Sequence, residues 1–356
     1  MKKTLILVQK TLVLVQKTLI AWLLLGLMQP ALAADHFNIL VYHHVSEHSP
    51  ASTSVTPQVF RQHLQFFKDQ QITVMGLADA LAAVATGTPL SEKTIAITFD
   101  DGYRDIYDNA FPLLQEFDYP FTVFVATDPI DQGFGDMLSW AQLRSLHQQG
   151  VTIANHSSDH AYLVRQAPQG SQWRAAVKAN IEHAQQRLTA ELGAPIPLWL
   201  AYPYGEFNFE LQAMLKEMGF LGFGQHSGGV WSGTHAQAIP RFAAAGIYAN
   251  TATLATKIAS HPMPVDESAL PDMLTADRTP HVTVRFTDAE VADLPLNCFL
   301  NGTGLLAGRP TSETFRLDAP EPLSSGRHRF NCTARSTSGS YYYWFSKPWL
   351  IVDGDR

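Results

Sequence analysis

The chain of 356 residues is poor in cysteine, has no excess of basic charge, and shows no long apolar run beyond its first 33 residues. Each shortage excludes something. Cys298 and Cys332 are the only two cysteines and no CxxC pair exists, which argues against reading them as metal ligands or catalytic thiols. Two cysteines in an exported chain most simply form one disulfide. Closing that loop would contribute about 3–4 kcal/mol on the chain-entropy view. Lys and Arg number 25 against 32 Asp and Glu, a formal charge of -7. Lys2, Lys3, Lys10 and Lys17 stand in an opening stretch without acids, so the remainder carries 21 basic against 32 acidic residues, or -7 - 4 = -11. That sign argues against a nucleic-acid partner and against docking on anionic lipid, and suits a neutral or cationic substrate.

The opening stretch reads as a secretory signal peptide over residues 1–33. Lys2 and Lys3 form its charged start. A seven-residue repeat beginning at Lys3, Lys10 and Lys17 is too short for a coiled coil. The run Leu19 to Met28 then leads to Ala31-Leu32-Ala33, small residues of the kind a signal peptidase cuts after. A retained membrane anchor is the alternative. No cysteine near the cut suggests a lipoprotein, and no membrane span is expected after cleavage. The expected location is periplasmic or extracellular.

Residues 34–260 alternate strand and helix signals about seven times. The stretch Thr94 to Asp101 is the centre of this region. Ile95, Ile97 and Phe99 alternate with small or polar residues, a strand pattern. The strand runs into Asp100-Asp101-Gly102. Successive strand residues point to opposite sides, so two adjacent carboxylates can hold different tasks, one on a cation and one on a proton. Gly102 permits a sharp turn just past them. Other expected strands are Phe37 to Tyr42, Ile72 to Met75, Phe121 to Ala126, Val151 to Ala154, Leu198 to Ala201 and Leu221 to Gly224. Helices fall between them, one starting at Thr56-Pro57 with Thr as cap and Pro in the first turn. The pattern predicts a parallel α/β architecture, a (β/α) barrel, with a doubly wound sheet as the alternative. In a barrel the carboxyl ends of the strands converge on one face, where chemistry is placed.

A second cluster follows the strand ending at Ala154. His156-Ser157-Ser158-Asp159-His160 sets two histidines four apart, and on a helical turn that spacing puts both rings on one face. With a carboxylate they make a three-ligand metal site with open positions. Two imidazoles and a carboxylate suit zinc first, with nickel or cobalt as alternatives.

Three segments in this order carry a resemblance. Thr98-Phe99-Asp100-Asp101-Gly102-Tyr103, His156 to His160, and Tyr202-Pro203-Tyr204-Gly205 are similar to the first three motifs of the polysaccharide deacetylase family, carbohydrate esterase family 4. The similarity covers roughly residues 36–250. It implies a distorted (β/α) barrel and metal-dependent removal of acetyl groups from sugars. Residue by residue, Asp101, His156 and His160 resemble the metal ligands and Asp100 the catalytic base. Tyr204 resembles the residue whose backbone N–H helps hold the oxyanion, with Pro203 beside it. The opening strand Leu40-Val41-Tyr42-His43-His44-Val45 resembles the biofilm-type members, which act on poly-β-1,6-N-acetylglucosamine and carry the proton-donating histidine there. His43 matches that histidine; His44 is its competitor. Two departures stand out. The third motif of the family begins with arginine, where this chain has Ala201. Asp136-Met137-Leu138-Ser139-Trp140 resembles the fourth motif only loosely, leaving Trp140 either beside the site as a substrate-binding residue or at a helix start. Arg241 receives no role.

Beyond residue 260 the pattern changes. Residues 261–277, with Pro262, Pro264 and Pro271, read as a linker. Residues 278–356 alternate without a helical period and end in the aromatic run Tyr341 to Phe345, which predicts a small β-sandwich pinned by Cys298–Cys332. Its aromatics suit sugar rings or the core. The resulting expectation is an exported deacetylase of poly-β-1,6-N-acetylglucosamine, working with or without an export or synthesis machine. Chitin-like, peptidoglycan or O-acetylated glycans are alternative substrates, and a glycan-binding protein with a disabled site is the non-enzyme alternative.

Overall fold

A computed structural model describes residues 33–165, 170–301, 303–308 and 313–353. The expected signal peptide lies outside the described residues, save Ala33. Among the described residues no helix is long and apolar enough to cross a membrane.

The first unit is a nine-stranded sheet. Its strands are β1 (His36–Tyr42), β2 (Thr73–Val74), β3 (Thr94–Phe99), β4 (Phe121–Val125), β5 (Thr152–Asn155), β6 (Trp199–Ala201), β7 (Leu221–Phe223), β8 (Gly229–Trp231) and β9 (Phe242–Ala243). From β7 through β6, β5, β4 and β3 to β1 every neighbour is parallel. β8 closes antiparallel on β1, and β9 pairs β1 in parallel. The sheet curls into a half-barrel with helices outside, a distorted (β/α) barrel as the motif order implied.

Period-two patterning sorts the side chains. Leu40, Tyr42, Ile97, Phe99, Val123 and Ile153 face the outer helices, and they pack with Phe60, Leu64 and Phe67 of helix α1 (Pro57–Asp69). Phe37, Ile39, Ala96, Phe124, Ala154, Ala201 and Phe223 fill the inside. Both faces of a parallel sheet are covered, so its strands are apolar almost throughout. Polar residues that follow the inward series (His43 after Val41, Asp100 after Thr98, His156 after Ala154) therefore reach the same rim.

The C-terminal part holds a six-stranded sheet and a two-stranded ribbon. The sheet contains β10 (His261–Pro262), β11 (Leu274–Thr275), β13 (Leu296–Leu300), β14 (Thr303–Gly308), β16 (Gly326–Arg335) and β17 (Tyr342–Ile351). The ribbon is β12 (His281–Arg285) with β15 (Thr314–Asp318). Val282, Val284, Phe315 and Leu317 of the ribbon share a core with Phe330, Phe345 and Trp349 of the sheet, a sandwich-like arrangement. Cys298 and Cys332 stand directly opposite on β13 and β16 and form the disulfide. The segment read as a linker is not a free tether. His261–Pro262 and Leu274–Thr275 both pair with β17 in parallel, so the segment is woven into the C-terminal sheet.

Candidate active site

Asp100 follows the last residue of β3, and its backbone N–H donates to Tyr42 O at 3.0 Å. The next residue turns over into the left-handed region, with φ of 73° at Asp101 and 89° at Gly102. A side chain at 102 would be strained by that φ, although its Cβ would meet Val125 only in ordinary contact at 3.4 Å. The turn sends the two carboxylates apart. Asp100 is fully buried and paired in a fork with Arg241, Nη1 to Oδ1 and Nη2 to Oδ2 each at 2.7 Å. Asp101 Oδ1 lies 3.1 Å from His156 Nε2 and 3.1 Å from His160 Nε2.

The histidine pair is not made by a helical turn, as its spacing suggested. Ser157 (φ 67°) and His160 (φ 55°) are left-handed, and this reversal brings the two rings to 4.8 Å. Asn155 accepts from Ser157 N at 2.8 Å, and Ser157 Oγ accepts from His160 N at 3.1 Å, so side chains hold the loop where no helix does. Tyr204 is left-handed too (φ 61°), in the turn Pro203–Gly205. Four of the seven non-glycine positive-φ residues among the described residues thus belong to this rim. Each costs about 1–3 kcal/mol and persists only where the surroundings over-determine it. Gly205 shows how tight they are: a Cβ there would lie 2.7 Å from Gln225 Cβ.

The donor set fits a divalent cation. Asp101, His156 and His160 each offer an atom within 4.8 Å of the others. Donors bound to one ion at about 2.0–2.2 Å lie about 3–3.5 Å apart, and Asp101 Oδ1 stands at 3.1 Å from each imidazole. His156 Nδ1 donates to Ala201 O at 2.8 Å, which turns Nε2 toward Asp101. Asp128, Asp131 and His183 form a second cluster of suitable spacing. There Asp131 is bound by Arg187 and by the indole of Trp140.

His43 and His44 separate as alternation requires. Asp100, Asp101, His156 and Arg241 are the charged neighbours of His43, while His44 Nδ1 is bound to Asp105 at 2.7 Å and its ring stacks on Tyr103. Burial lowers the pKa of His43, and the two carboxylates partly offset it. Burial also opposes ionisation of Asp100, but Arg241 and the neighbouring imidazoles outweigh it and hold that carboxyl below the usual range. Asp101 is held well below it against the same burial, through its hydrogen bonds to the two histidines.

Trp140 is not brought to this group. It is the first residue of helix α5 (Trp140–Gln148; α2, α3 and α4 are Leu77–Thr86, Phe111–Phe117 and Thr127–Asp131). Ser139 and Gln142 form a capping box there, the indole N–H donates to Asp131 at 2.8 Å, and Arg187 covers the ring. The helix-start reading therefore describes it. Pro203 is buried and shapes the turn, while the Tyr204 ring stacks on Tyr162 at 4.0 Å.

Arg241 is the residue that sequence reasoning missed. It is fully buried, and besides Asp100 it donates from Nε to Gly224 O at 2.8 Å. It occupies the role left vacant by Ala201, arriving from the opposite side of the sheet. The signal was a lone cation in the apolar run Ala238 to Ala245, since a charge inside such a run must have a buried partner. Gln225 was missed as well; its side-chain amide approaches Asp100 Oδ2 at 3.4 Å.

Comparison with known proteins follows the same lines. The family described as polysaccharide deacetylase matches residues 87–223. A Bacillus subtilis (strain 168) protein named as a polysaccharide deacetylase is 28% identical over 186 residues, 51% of this chain and 61% of its own length. The poly-beta-1,6-N-acetyl-D-glucosamine N-deacetylase of Escherichia coli (strain K12) is 27% identical over 223 residues, 53% of this chain and 33% of its own length. The chain thus spans less than two thirds of these relatives. Among solved structures, the Streptococcus pyogenes deacetylase PplD in complex with acetate shares the fold at a TM-score of 0.56 and 23% identity, covering 63% of this chain and 98% of that one. IcaB from Ammonifex degensii does so at 0.53 and 22%, covering 62% and 97%. Over residues 87–223 the chain is similar to the polysaccharide deacetylase family.

Proposed function

We propose that this chain is an exported, metal-dependent N-deacetylase of a polysaccharide of N-acetylhexosamine, with poly-β-1,6-N-acetylglucosamine as substrate. One observation carries the reading: a carboxylate fixed by a buried arginine, a three-donor metal set and a histidine free of other hydrogen bonds meet on one rim. The name of the Escherichia coli relative supports the choice of glycan.

Asp101, His156 and His160 would hold a divalent cation, which would supply Lewis-acid chemistry at the acetyl carbonyl and at a bound water. Asp100 is the proton acceptor for the attacking water. Its fork with Arg241 fixes the direction of the carboxylate and keeps it ionised. The same fork weakens it as a base, so proton transfer to it depends on the acidity of that water. The backbone N–H of Tyr204, held in a left-handed turn, is the donor for the developing oxyanion. His43, beside Asp100 on the neighbouring strand, gives its proton to the leaving amine. His44 cannot share this task while it is bound to Asp105.

The test is acetate release from β-1,6-linked N-acetylglucosamine oligomers, with and without chelator and with Asp100→Asn. Release abolished by both supports the reading. Activity confined to chitin oligomers or acetyl esters would move the substrate and keep the machinery. No release from any of them, in protein shown to contain metal, would leave a glycan-binding protein.

A further inference from the structure

β16 runs from the active-site rim into the C-terminal sheet, and alternation places Arg327, Arg329, Asn331 and Thr333 on one face. Phe299 and Asn297 of β13 stand beside Asn331 and Thr333 on that face, and Trp344 and Tyr342 of β17 beside Thr333 and Arg335. This face does not meet solvent across its width. It looks onto the barrel, where Trp344 packs edge-on against Phe242 with ring centres 5.2 Å apart.

Two cavities lie between the layers. One of about 240 Å³ is bordered by Tyr204, Gln225, Arg327 and Arg329. The other, of about 570 Å³, is bordered by Arg329, Phe299, Asn331, Tyr342, Trp344 and, from the barrel side, Tyr248. Arg329 lines both. Six residues of strand separate Arg327 from Thr333, about 20 Å at 3.3–3.4 Å per residue, so the cleft has the length of several sugar units.

The lining has a definite chemistry. Aromatic faces alternate with amides and hydroxyls, the combination that fits the C–H faces and the hydroxyl and acetamido groups of a sugar. Among the described residues no carboxylate borders either cavity, although the whole chain is acidic. The charged groups there are cations. Arg327 donates to Tyr204 O at 2.7 Å and Arg329 to Gln225 O at 3.1 Å, while Arg329 Nε is buried without a hydrogen-bond partner. Lys257 donates to Ala243 O and lies 4.3 Å from the Tyr248 ring centre. Arg327 and Arg329 are anchored on backbone carbonyls, and Arg327 also faces the buried carboxylate of Glu206 at 3.7 Å, so Arg329, which lines both cavities, sets the sign of the local field more than it offers a clamp for an anion.

We infer that this cleft is a second glycan-binding site, an extended subsite that holds the neutral, N-acetylated stretch of polymer next to the reacting unit and disfavours units already converted to cationic amines. The inference rests on the proposed deacetylase reading. It makes the C-terminal sheet a part of substrate selection, and it directs the reaction toward stretches not yet processed.

The experiment is calorimetric binding to the full chain carrying Asp100→Asn, or to metal-stripped wild-type chain if that substitution unfolds it. Acetylated β-1,6 hexamers, fully deacetylated hexamers and an anionic glycan with N-acetylated units serve as probes. The acetylated hexamer should bind best, the deacetylated one at least about tenfold more weakly. Tyr342→Ala on the sheet and Tyr248→Ala on the barrel should each weaken the hexamer about tenfold, the loss typical of an aromatic anchor. They should also lower the ratio of hexamer to dimer turnover. Equal affinity for acetylated and deacetylated hexamers, tighter binding of the anionic glycan, or unchanged hexamer binding in both tyrosine variants would each overturn the cleft. Acetate release by the wild type is measured alongside: its absence sinks the deacetylase reading, whereas its presence with any of those three results sinks the cleft alone.

Discussion

Two clusters on this molecule have nearly the same composition. Asp101, His156 and His160 form one; Asp128, Asp131 and His183 form the other. Distance alone does not separate them. Their surroundings do. The first sits on the barrel rim with His156 fully buried, its ring oriented by Ala201 O, and its loops held in left-handed turns. The second is exposed or half-buried, and Asp131 is engaged by Arg187 in two hydrogen bonds. A metal site is recognised by the groups that orient its ligands, more than by the ligands themselves.

The sharpest way to break this comparison is to count metal. Asp101→Ala should reduce bound metal from about one ion per chain to none, and acetate release with it; loss of an orienting group alone costs about 10–100-fold, so losing a ligand should cost at least about 100-fold. Asp131→Asn should change neither. Elemental analysis of the two purified variants decides the matter, and a metal lost only from Asp131→Asn would reverse the assignment.

The next contrast lies within two adjacent residues. His43→Ala should lower kcat by about 10²–10⁴, the range for loss of a general acid. His44→Ala removes the pairing with Asp105 and the stack on Tyr103, and should cost less than about tenfold. Steady-state kinetics on one oligomer would test both, and equal losses would count against the division of labour.

A third contrast sets buried against exposed ion pairs. Arg241→Met leaves the Asp100 carboxylate buried and unpaired, and should destabilise the fold by about 3–5 kcal/mol. Arg61→Met removes an exposed, solvent-screened pair with Glu116 and should leave the midpoint nearly unchanged. Urea denaturation of both variants measures the difference; similar midpoints would show that Asp100 finds another partner.

The parts of this architecture legible in the sequence are those set by local rules. Period-two alternation placed the strands, Thr56 and Ser139 marked helix starts, and Asp100-Asp101-Gly102 announced a turn with two carboxylates. Alternation also separates His43 from His44. What was not legible depends on contacts across the chain. Arg241 lies 141 residues from Asp100, and no local pattern links them. The segment 261–277 looked like a tether because its prolines break local structure, yet its short strands are held by β17, 82 and 76 residues later. The HxxxH spacing was read with a helical ruler, and the actual device is a reversal through left-handed residues that sequence patterns rarely reveal.

The smallest effect separates two buried histidines. His156 has carboxylates beside it; burial would lower its pKa, but the hydrogen bond to Asp101 and the charge of Asp100 raise it overall. His63 is as buried and has none. Tyr42 Oη lies 3.0 Å from its Nδ1, and its Nε2 donates to Ala249 O, an arrangement satisfied by the neutral ring. Burial lowers its pKa to about 4, against 6.5 for the free side chain. Below about pH 6.5 the unfolded chain binds a proton there that the folded chain refuses, so stability falls as pH drops toward 4. The linkage relation gives about 2 kcal/mol between pH 7.5 and 5 from this residue. Urea midpoints across that range should show the slope, and His63→Gln, whose amide can keep both hydrogen bonds, should flatten it. A His63 ring that titrates near 6.5 by NMR in the folded chain would remove the basis for the effect.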